Sequence, residues 1–264
     1  MTHRDVIADL TAEAAAVEQL LDGLSDEDWT RPTPAPGWTV ADQVAHLAFI
    51  FRLAGTAVAD GETFKTMTAK VSAENSEAVV NGALAEFRDD PPEVLRNRWR
   101  IERDAAIKSL AAAPPDRPVP WLVRPLPPAV LASAGMMETF AHGQDIADAL
   151  SRSREHTDRL WHLAWFATLT WDFGYQARGL PTPDVQFRYE LTAPEGGTWE
   201  FGPVNAEQRI TGPAEDFCLL VTRRRHRDDL AVTATGDIAE AWLDIAQAYR
   251  GPAGEGRRPG QFSR

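Results

Sequence analysis

Three residues with metal-binding side chains occur in two segments that have the composition of helices. His46 lies inside the apolar run 45–50, and Glu138 and His142 are four positions apart, so a helix would place both on one face. Glu138 stands among Met and Phe residues, where an ionised carboxylate is costly without a counter-charge. The three side chains therefore suit zinc or another divalent ion, with a fourth coordination position left open as in catalytic sites.

The same residues also allow a simpler interpretation, and other polar side chains stand close to them. A Glu–His pair with this spacing is often an ordinary helix surface pair, and His46 could be a core histidine with a satisfied hydrogen bond. If a metal is bound, Asp145 could accept a hydrogen bond from an imidazole, and Gln144 could do so if the helix is locally rotated. Asp42 is better explained as the partner of Thr39 in a capping box than as a metal ligand.

A basic cluster near the C-terminus is the second candidate site. The dense run of cations consists of Arg223, Arg224, Arg225 and Arg227. The cluster could act as an anion clamp, because guanidinium groups bind carboxylates in a bidentate manner. The alternative is a solvated helix end, where cations are favoured by the helix dipole. Two aspartates follow the run and the chain is acidic on both sides of residue 178, which argues against nucleic acid as a partner.

The elements that must position these residues change in character near residue 180. Apolar residues up to that point recur at helical spacing, with Pro-rich or polar connections at 32–37, 60–75 and 114–128. Helices are predicted from about 4 to 23, from 40 to 54, from 91 to 110, from 129 to 150, and from 157 to about 178. The segment 1–178 is therefore predicted to be an antiparallel helical bundle, against which Trp161, Trp165 and Trp171 should pack.

The remaining segment, 179–264, has a mixed pattern. Val185, Phe187, Tyr189 and Leu191 alternate with polar residues, as in a strand, and a Glu-Gly-Gly turn at 195–197 predicts a hairpin. A helix is predicted after Gly212-Pro213, then a strand over 230–235 and a helix over 238–249. The last residues, 251–264, are expected to be frayed. The fold class is therefore mainly α, with a small α+β domain at the C-terminal end.

Composition excludes several classes of protein. The chain has 264 residues, a formal net charge of −12 and a single cysteine, so an intrachain disulfide and a Cys-rich zinc module are both excluded. Cys218 lies in an apolar run, which predicts a buried, inert thiol. The N-terminal segment is too polar for a signal peptide, and polar residues interrupt the most apolar stretch, 40–59. We therefore expect a cytoplasmic protein without a membrane-bound segment.

Two motifs resemble those of the mycothiol-dependent maleylpyruvate isomerase family, which belongs to the wider DinB-like metal-binding bundles. The first is APGWTVADQVAHL at 35–47, and the second is METFAHGQDI at 137–146. The C-terminal run 212–227 is typical of an actinobacterial branch described only as metal-binding. The resemblance implies that His46, Glu138 and His142 hold zinc. It also implies a four-helix bundle followed by a small sterol-carrier-like α+β domain, and a catalytic role for one of Arg223, Arg224 and Arg225 in that domain.

The resemblance also implies a chemistry. Zinc with an open position would bind a small-molecule thiol such as mycothiol and favour its thiolate, which attacks a small electrophilic substrate. Loss of a leaving group would make the protein an S-transferase, whereas addition, bond rotation and expulsion of the thiol would make it a cis–trans isomerase. The alternatives are a metal-dependent hydrolase, a binding protein for a hydrophobic ligand with a structural metal, and a bundle that has lost catalysis. The substrate and the oligomeric state are left open.

Overall fold

A computed structural model describes residues 4–69, 76–87, 90–122 and 124–262. The chain forms two compact units, Met1–Arg154 and Glu155–Arg264. The first unit is helical and the second combines helices with a four-stranded sheet, so the predicted fold class is confirmed.

The first unit is a bundle of four long helices. Their bounds are Val6–Leu20 (α1), Val40–Ala59 (α3), Pro92–Ala112 (α6) and Pro128–Leu150 (α7), and the short helix Asp26–Trp29 (α2) precedes α3. Helix α3 packs against both α6 and α7, and α1 packs against α7. Phe51 and Trp99 meet edge to face in the core, with their ring centroids 5.2 Å apart, and both are almost fully buried. The bundle therefore holds α3 and α7 side by side around an apolar core.

The start of α3 follows the predicted capping box. Thr39 Oγ1 accepts a hydrogen bond from the backbone N–H of Asp42, and the Asp42 carboxylate accepts from the backbone N–H of Thr39 at 2.9 Å. Two of the donors that a helix start leaves unpaired are thereby satisfied. The capping box fixes where α3 begins, and hence which of its residues face α7.

The connection predicted over 60–75 is wrong in its first part, because residues Gly61–Thr68 form a helix (α4). Asp60 caps this helix by accepting from the backbone N–H of Thr63 at 3.1 Å, and Phe64 is only 2% exposed. Residues 70–75 of the predicted connection lie outside the described part of the chain, and Ser76–Ala85 form a further helix (α5). This helix has eight residues, fewer than the roughly 11–18 over which helical periodicity is recognised in a sequence.

The second unit is built on a sheet with the strand order β2-β1-β3-β4. The strands are Phe187–Thr192 (β1), Thr198–Phe201 (β2), Gln208–Pro213 (β3) and Thr233–Thr235 (β4). Strands β1 and β2 pair antiparallel around the turn at 195–197, which confirms the predicted hairpin, and β1 and β3 pair in parallel. The helices of this unit are Trp161–Leu169 (α8), Phe173–Gln176 (α9), Ala214–Val221 (α10) and Asp237–Ile245 (α11).

The division between the units lies at residues 154 and 155, whereas the sequence pattern placed it near residue 178. The reason is that α8 belongs with the sheet. Trp161 stacks on Trp165 with ring centroids 6.0 Å apart, and it lies 5.7 Å from Phe201 on β2. Trp171 likewise lies 5.0 Å from Phe187 on β1. The prediction that these tryptophans pack against the bundle is therefore corrected: they extend the aromatic core of the second unit.

The C-terminal tail was expected to be frayed, and its described part instead packs on the second unit. The backbone N–H of Gly260 donates to the carboxylate of Asp229 at 2.8 Å, and the guanidinium of Arg225 lies 4.0 Å from the centroid of the Phe262 ring. A short Gly- and Pro-rich tail has no periodicity from which such contacts could be predicted.

Among the described helices, none is both long enough and apolar enough to cross a bilayer.

Candidate metal centre

Helices α3 and α7 bring the three predicted ligands together. One potential ligand atom from each of His46, Glu138 and His142 lies within 4.8 Å of the others. Glu138 Oε2 is 3.4 Å from His46 Nε2 and 3.2 Å from His142 Nε2, and the two imidazole centroids are 4.3 Å apart. The spacing of Glu138 and His142 predicted that both lie on one face of a helix, and the packing of α3 on α7 brings His46 to that face.

The electrostatics of this cluster call for a positive charge at its centre. A carboxylate oxygen only accepts hydrogen bonds, and the bare nitrogen of a neutral imidazole also only accepts. Two Nε2 atoms that face one Oε2 therefore repel it unless a proton or a cation lies between them. The side chains are 10%, 20% and 12% exposed for His46, Glu138 and His142, so water screens this repulsion weakly. Two imidazoles and a carboxylate are also the donor set that zinc accepts, so the residues fit a divalent ion.

The carboxyl of Glu138 is held in its charged form. Burial raises its pKa, but His142 and His46, when they are protonated, donate to it and outweigh this, and the net effect is a pKa well below the usual range of a glutamate. His46 contributes one further feature, since among the described residues its buried Nδ1 atom has no hydrogen-bond partner. The cluster is therefore anionic on one side and lined by imidazole nitrogens on the other.

His142 has a hydrogen-bond partner that the sequence interpretation missed. Its Nδ1 lies 2.5 Å from Oε1 of Gln43, which is fully buried on α3. Asp145 and Gln144 were the residues considered as hydrogen-bond partners of an imidazole. Gln144 instead donates to Asp148 at 2.8 Å, and Asp145 is fully buried on the same helix. Gln43 precedes His46 by three positions, so helical spacing was the signal that could have found it.

Trp38 lies against both imidazoles. Its ring centroid is 5.3 Å from that of His46 and 5.8 Å from that of His142, with which it is stacked. The half-buried ring packs against the bundle core and also forms one wall of the cluster, which shields that side from water.

The arginine cluster belongs to the second unit, at the end of α10. Arg223 follows the helix in a left-handed conformation with φ 58°, and its guanidinium donates to the Gly254 carbonyl at 3.5 Å. Arg224 and Arg225 donate to the carbonyls of Thr222 and Arg224, each at 2.7 Å. Arg227 pairs with two carboxylates of α11. Arg227 therefore has a structural role, through its ion pairs with α11. The other three guanidiniums of the run each donate a hydrogen bond to a backbone oxygen.

Cys218 is fully buried within α10, as predicted. Its Sγ lies 4.0 Å from the carbonyl oxygen of Leu160 and is surrounded by apolar side chains of the second unit. Reactive cysteines are partly exposed and lie beside positive charges. Cys218 therefore lacks the environment of a nucleophile.

Comparison with known proteins identifies the family. Residues 10–147, just over half of the chain, match the family described as the mycothiol maleylpyruvate isomerase N-terminal domain. The chain belongs to this family. Two Mycobacterium tuberculosis proteins, from strains CDC 1551 / Oshkosh and ATCC 25618 / H37Rv, are 43% identical over 252 residues, which is 95% of this chain and 97% of each relative. Both carry names that describe them as uncharacterized.

Solved structures of the maleylpyruvate isomerase family share the fold. The crystal structure of the mycothiol-dependent maleylpyruvate isomerase matches with a TM-score of 0.57 at 15% identity, over 94% of this chain and 95% of that chain. A mutant of that enzyme with one histidine changed to alanine matches with a TM-score of 0.55, at the same identity and coverage. Residues 183–235 of the second unit also match a family described as wyosine base formation. Membership in the first family points to a mycothiol-dependent isomerase.

Proposed function

We propose that this protein is a zinc-dependent enzyme that activates a small-molecule thiol, such as mycothiol, for attack on a small electrophilic substrate. The observation that carries the proposal is the cluster of His46, Glu138 and His142 in a chain of the mycothiol maleylpyruvate isomerase N-terminal domain family. The metal is zinc or another divalent ion, held by these three residues. The reaction is either a cis–trans isomerisation or an S-transfer.

The donor set supports a catalytic rather than a structural metal. Three protein ligands leave one coordination position for a fourth group, whereas structural zinc sites are closed by four protein ligands. A cation bound there would lower the pKa of a coordinated thiol and so supply thiolate near neutral pH. The protein contributes the carboxylate of Glu138, which offsets part of the cation's charge, and two neutral imidazoles. Trp38 keeps one side of the centre dry, which strengthens each electrostatic interaction there.

The reacting thiol must come from outside the chain. Cys218 is the single cysteine of the sequence, and it is fully buried in the second unit. A family whose name includes mycothiol provides a thiol of the required kind. The thiolate would add to one carbon of an electron-poor double bond, and the electron pair of that bond would move to the adjacent withdrawing group. Rotation about the resulting single bond and expulsion of the thiolate would return the isomerised double bond and the unchanged thiolate.

An arginine of the second unit is proposed to be catalytic as an anion clamp, because a guanidinium binds a carboxylate in a bidentate manner. Of the candidates Arg223, Arg224 and Arg225, we favour Arg223, because its hydrogen bond to a backbone oxygen is long, at 3.5 Å, whereas those of the other two are 2.7 Å. Its left-handed backbone conformation costs an ordinary residue of order 1 kcal/mol or more, which a glycine would avoid. An arginine, rather than a glycine, in this left-handed conformation supports a function for the Arg223 guanidinium.

Metal analysis of the purified protein tests the centre itself. We expect about one zinc ion per chain, and its loss in His46→Ala, Glu138→Ala and His142→Ala. His162→Ala, which removes a histidine buried in the second unit, is the matched control and should retain the metal. Wild-type protein without metal after zinc loading, or alanine variants with the wild-type metal content, would overturn the proposed centre.

Calorimetric titration of mycothiol tests the thiol chemistry. Zinc-loaded protein should bind mycothiol with measurable heat, and metal-free protein should not. Binding that is equally strong without the metal would contradict thiol activation at this centre. Zinc-loaded protein that binds no thiol but hydrolyses an activated ester would instead support the metal-dependent hydrolase.

A further inference from the structure

Gln43 is a fully buried amide that contacts one member of the metal centre. It lies on α3, and its Oε1 is 2.5 Å from Nδ1 of His142 on α7. At the other end of the amide, Nε2 donates to Oγ1 of Thr33 at 2.8 Å. Both polar atoms of the side chain therefore have partners, and each partner belongs to a different segment of the first unit.

Thr33 determines which way the amide of Gln43 points. The Thr33 hydroxyl donates to the backbone carbonyl of Trp38 at 2.9 Å, and the Thr33 backbone N–H donates to the same oxygen at 2.8 Å. A hydroxyl has one proton, so towards Gln43 this oxygen can only accept. The NH₂ group of Gln43 must then face Thr33, and its carbonyl oxygen must face His142.

The orientation of the amide has a direct consequence for His142. An amide oxygen only accepts hydrogen bonds, so the proton of the neutral imidazole must be on Nδ1, and Nε2 carries a bare lone pair. Nε2 is the atom that lies 3.2 Å from Glu138 Oε2. We propose that Gln43 is a positioning residue that holds His142 in the Nδ1–H tautomer and so keeps Nε2 available to a divalent cation. The inference rests on the metal centre proposed above.

The loop before α3 completes this arrangement. The backbone N–H of Trp38 donates to the carbonyl of Ala35 at 3.1 Å, and Gly37 takes a φ of +77° in the turn between them. The same turn places the Trp38 ring on His142, with an angle of 21° between the ring planes. One short loop thus orients Gln43 through Thr33 and covers the imidazole that Gln43 contacts.

Zinc affinity of three variants tests the role of Gln43. Gln43→Leu removes the acceptor at similar side-chain volume and should weaken zinc binding by about 10–100-fold, as is typical when the partner of a ligating histidine is removed. Gln144→Leu is the matched control, because this buried amide bonds to Asp148 rather than to the cluster, and its affinity should stay at the wild-type value. Gln43→Glu retains an acceptor oxygen for Nδ1 and should recover most of the affinity. Competition with a chromophoric chelator measures all three.

The tautomer of His142 can be measured without any metal. Long-range ¹H–¹⁵N correlation spectra of the metal-free protein, at a pH where the imidazole is neutral, should show the proton on Nδ1 in the wild type and a shift towards Nε2–H in Gln43→Leu. A wild-type Nε2–H tautomer, or equal zinc affinities in Gln43→Leu and wild type, would overturn the role of Gln43. Failure of wild-type protein to bind zinc would overturn the metal centre, and the spectra would still decide what Gln43 does.

Discussion

The imidazole rings of His46 and His142 lie 4.3 Å apart on two different helices of the bundle. This approach depends on how closely α3 and α7 can pack and on where each helix begins. It also leaves little freedom, because a shift of about 1 Å in one helix would change the fit of the cluster to a cation. Substitutions next to these side chains, or at the start of a helix that carries one, should therefore report on the packing that sets this distance.

Gly143 is the first such position, because it follows His142 directly and lies against α1. A Cβ at this glycine would be 2.6 Å from Val17 Cγ2 and 3.3 Å from Arg154 Cζ. We expect Gly143→Ala to lower the free energy of unfolding by about 1–3 kcal/mol, as measured by urea denaturation, because overpacking forces neighbouring side chains out of place.

Gly82 provides the control for that substitution. It lies inside α5, and a Cβ there would meet nothing within 4 Å. Gly82→Ala should be neutral or should stabilise the protein by up to about 1 kcal/mol, because alanine is the better helix former. Equal effects of the two substitutions would show that packing at Gly143 is looser than the structure indicates.

Thr39 is the second position, because it caps the helix that carries Gln43 and His46. Thr39→Ala removes the hydroxyl that accepts from the Asp42 backbone N–H, and it should cost about 0.5–2 kcal/mol of stability. Thr11→Ala is a suitable control, since Thr11 is exposed inside α1 and caps no helix. A loss of stability at Thr11 that matches the loss at Thr39 would argue against the capping role.

Glu190 gives the second unit a defined response to pH. Hydrogen bonds from Arg209 and from Arg188 lower the pKa of its carboxyl below the usual value of 4.5. Because the folded-state pKa is lowered, the carboxylate stabilises the fold above about pH 4.5 and loses this effect as the pH falls through the folded-state pKa.

Urea midpoints of Glu190→Gln at two pH values check this sign. The variant should be less stable than wild type at pH 7, and the difference should shrink on acidification to about pH 3 and on addition of salt. Glu207→Gln, at an exposed carboxylate before β3, should show little difference at either pH. A difference for Glu190→Gln that grows on acidification would contradict the assigned contacts.

Cys218 should be unreactive in the folded protein. Its side chain is fully buried, so an aromatic disulfide reagent should label it only as fast as the second unit opens. Labelling should become rapid in denaturant. Complete labelling of native protein within seconds would show an accessible thiol, and would weaken the argument that the reacting thiol comes from outside the chain.

Local features of the fold could be predicted from the sequence. The capping box at Thr39 and Asp42 involves residues three apart, and the shared face of Glu138 and His142 follows from a helical repeat. The hairpin at 195–197 also depends on neighbouring residues, and the buried state of Cys218 follows from an apolar helix face. Each of these is set by interactions within a few positions along the chain, which is why residue pattern alone could predict them.

Features that depend on contacts between distant segments were decided by the tertiary structure. The partner of His142 Nδ1 is Gln43, on another helix, although Asp145 and Gln144 were closer in sequence. Likewise α8 has a bundle-like apolar pattern, yet Trp161 packs beside Phe201 of the sheet. An apolar side chain needs burial and a buried amide needs hydrogen bonds, but the residue type does not say which residues provide them. The partners are set when helices and strands pack, because packing determines which side chains lie close enough to interact.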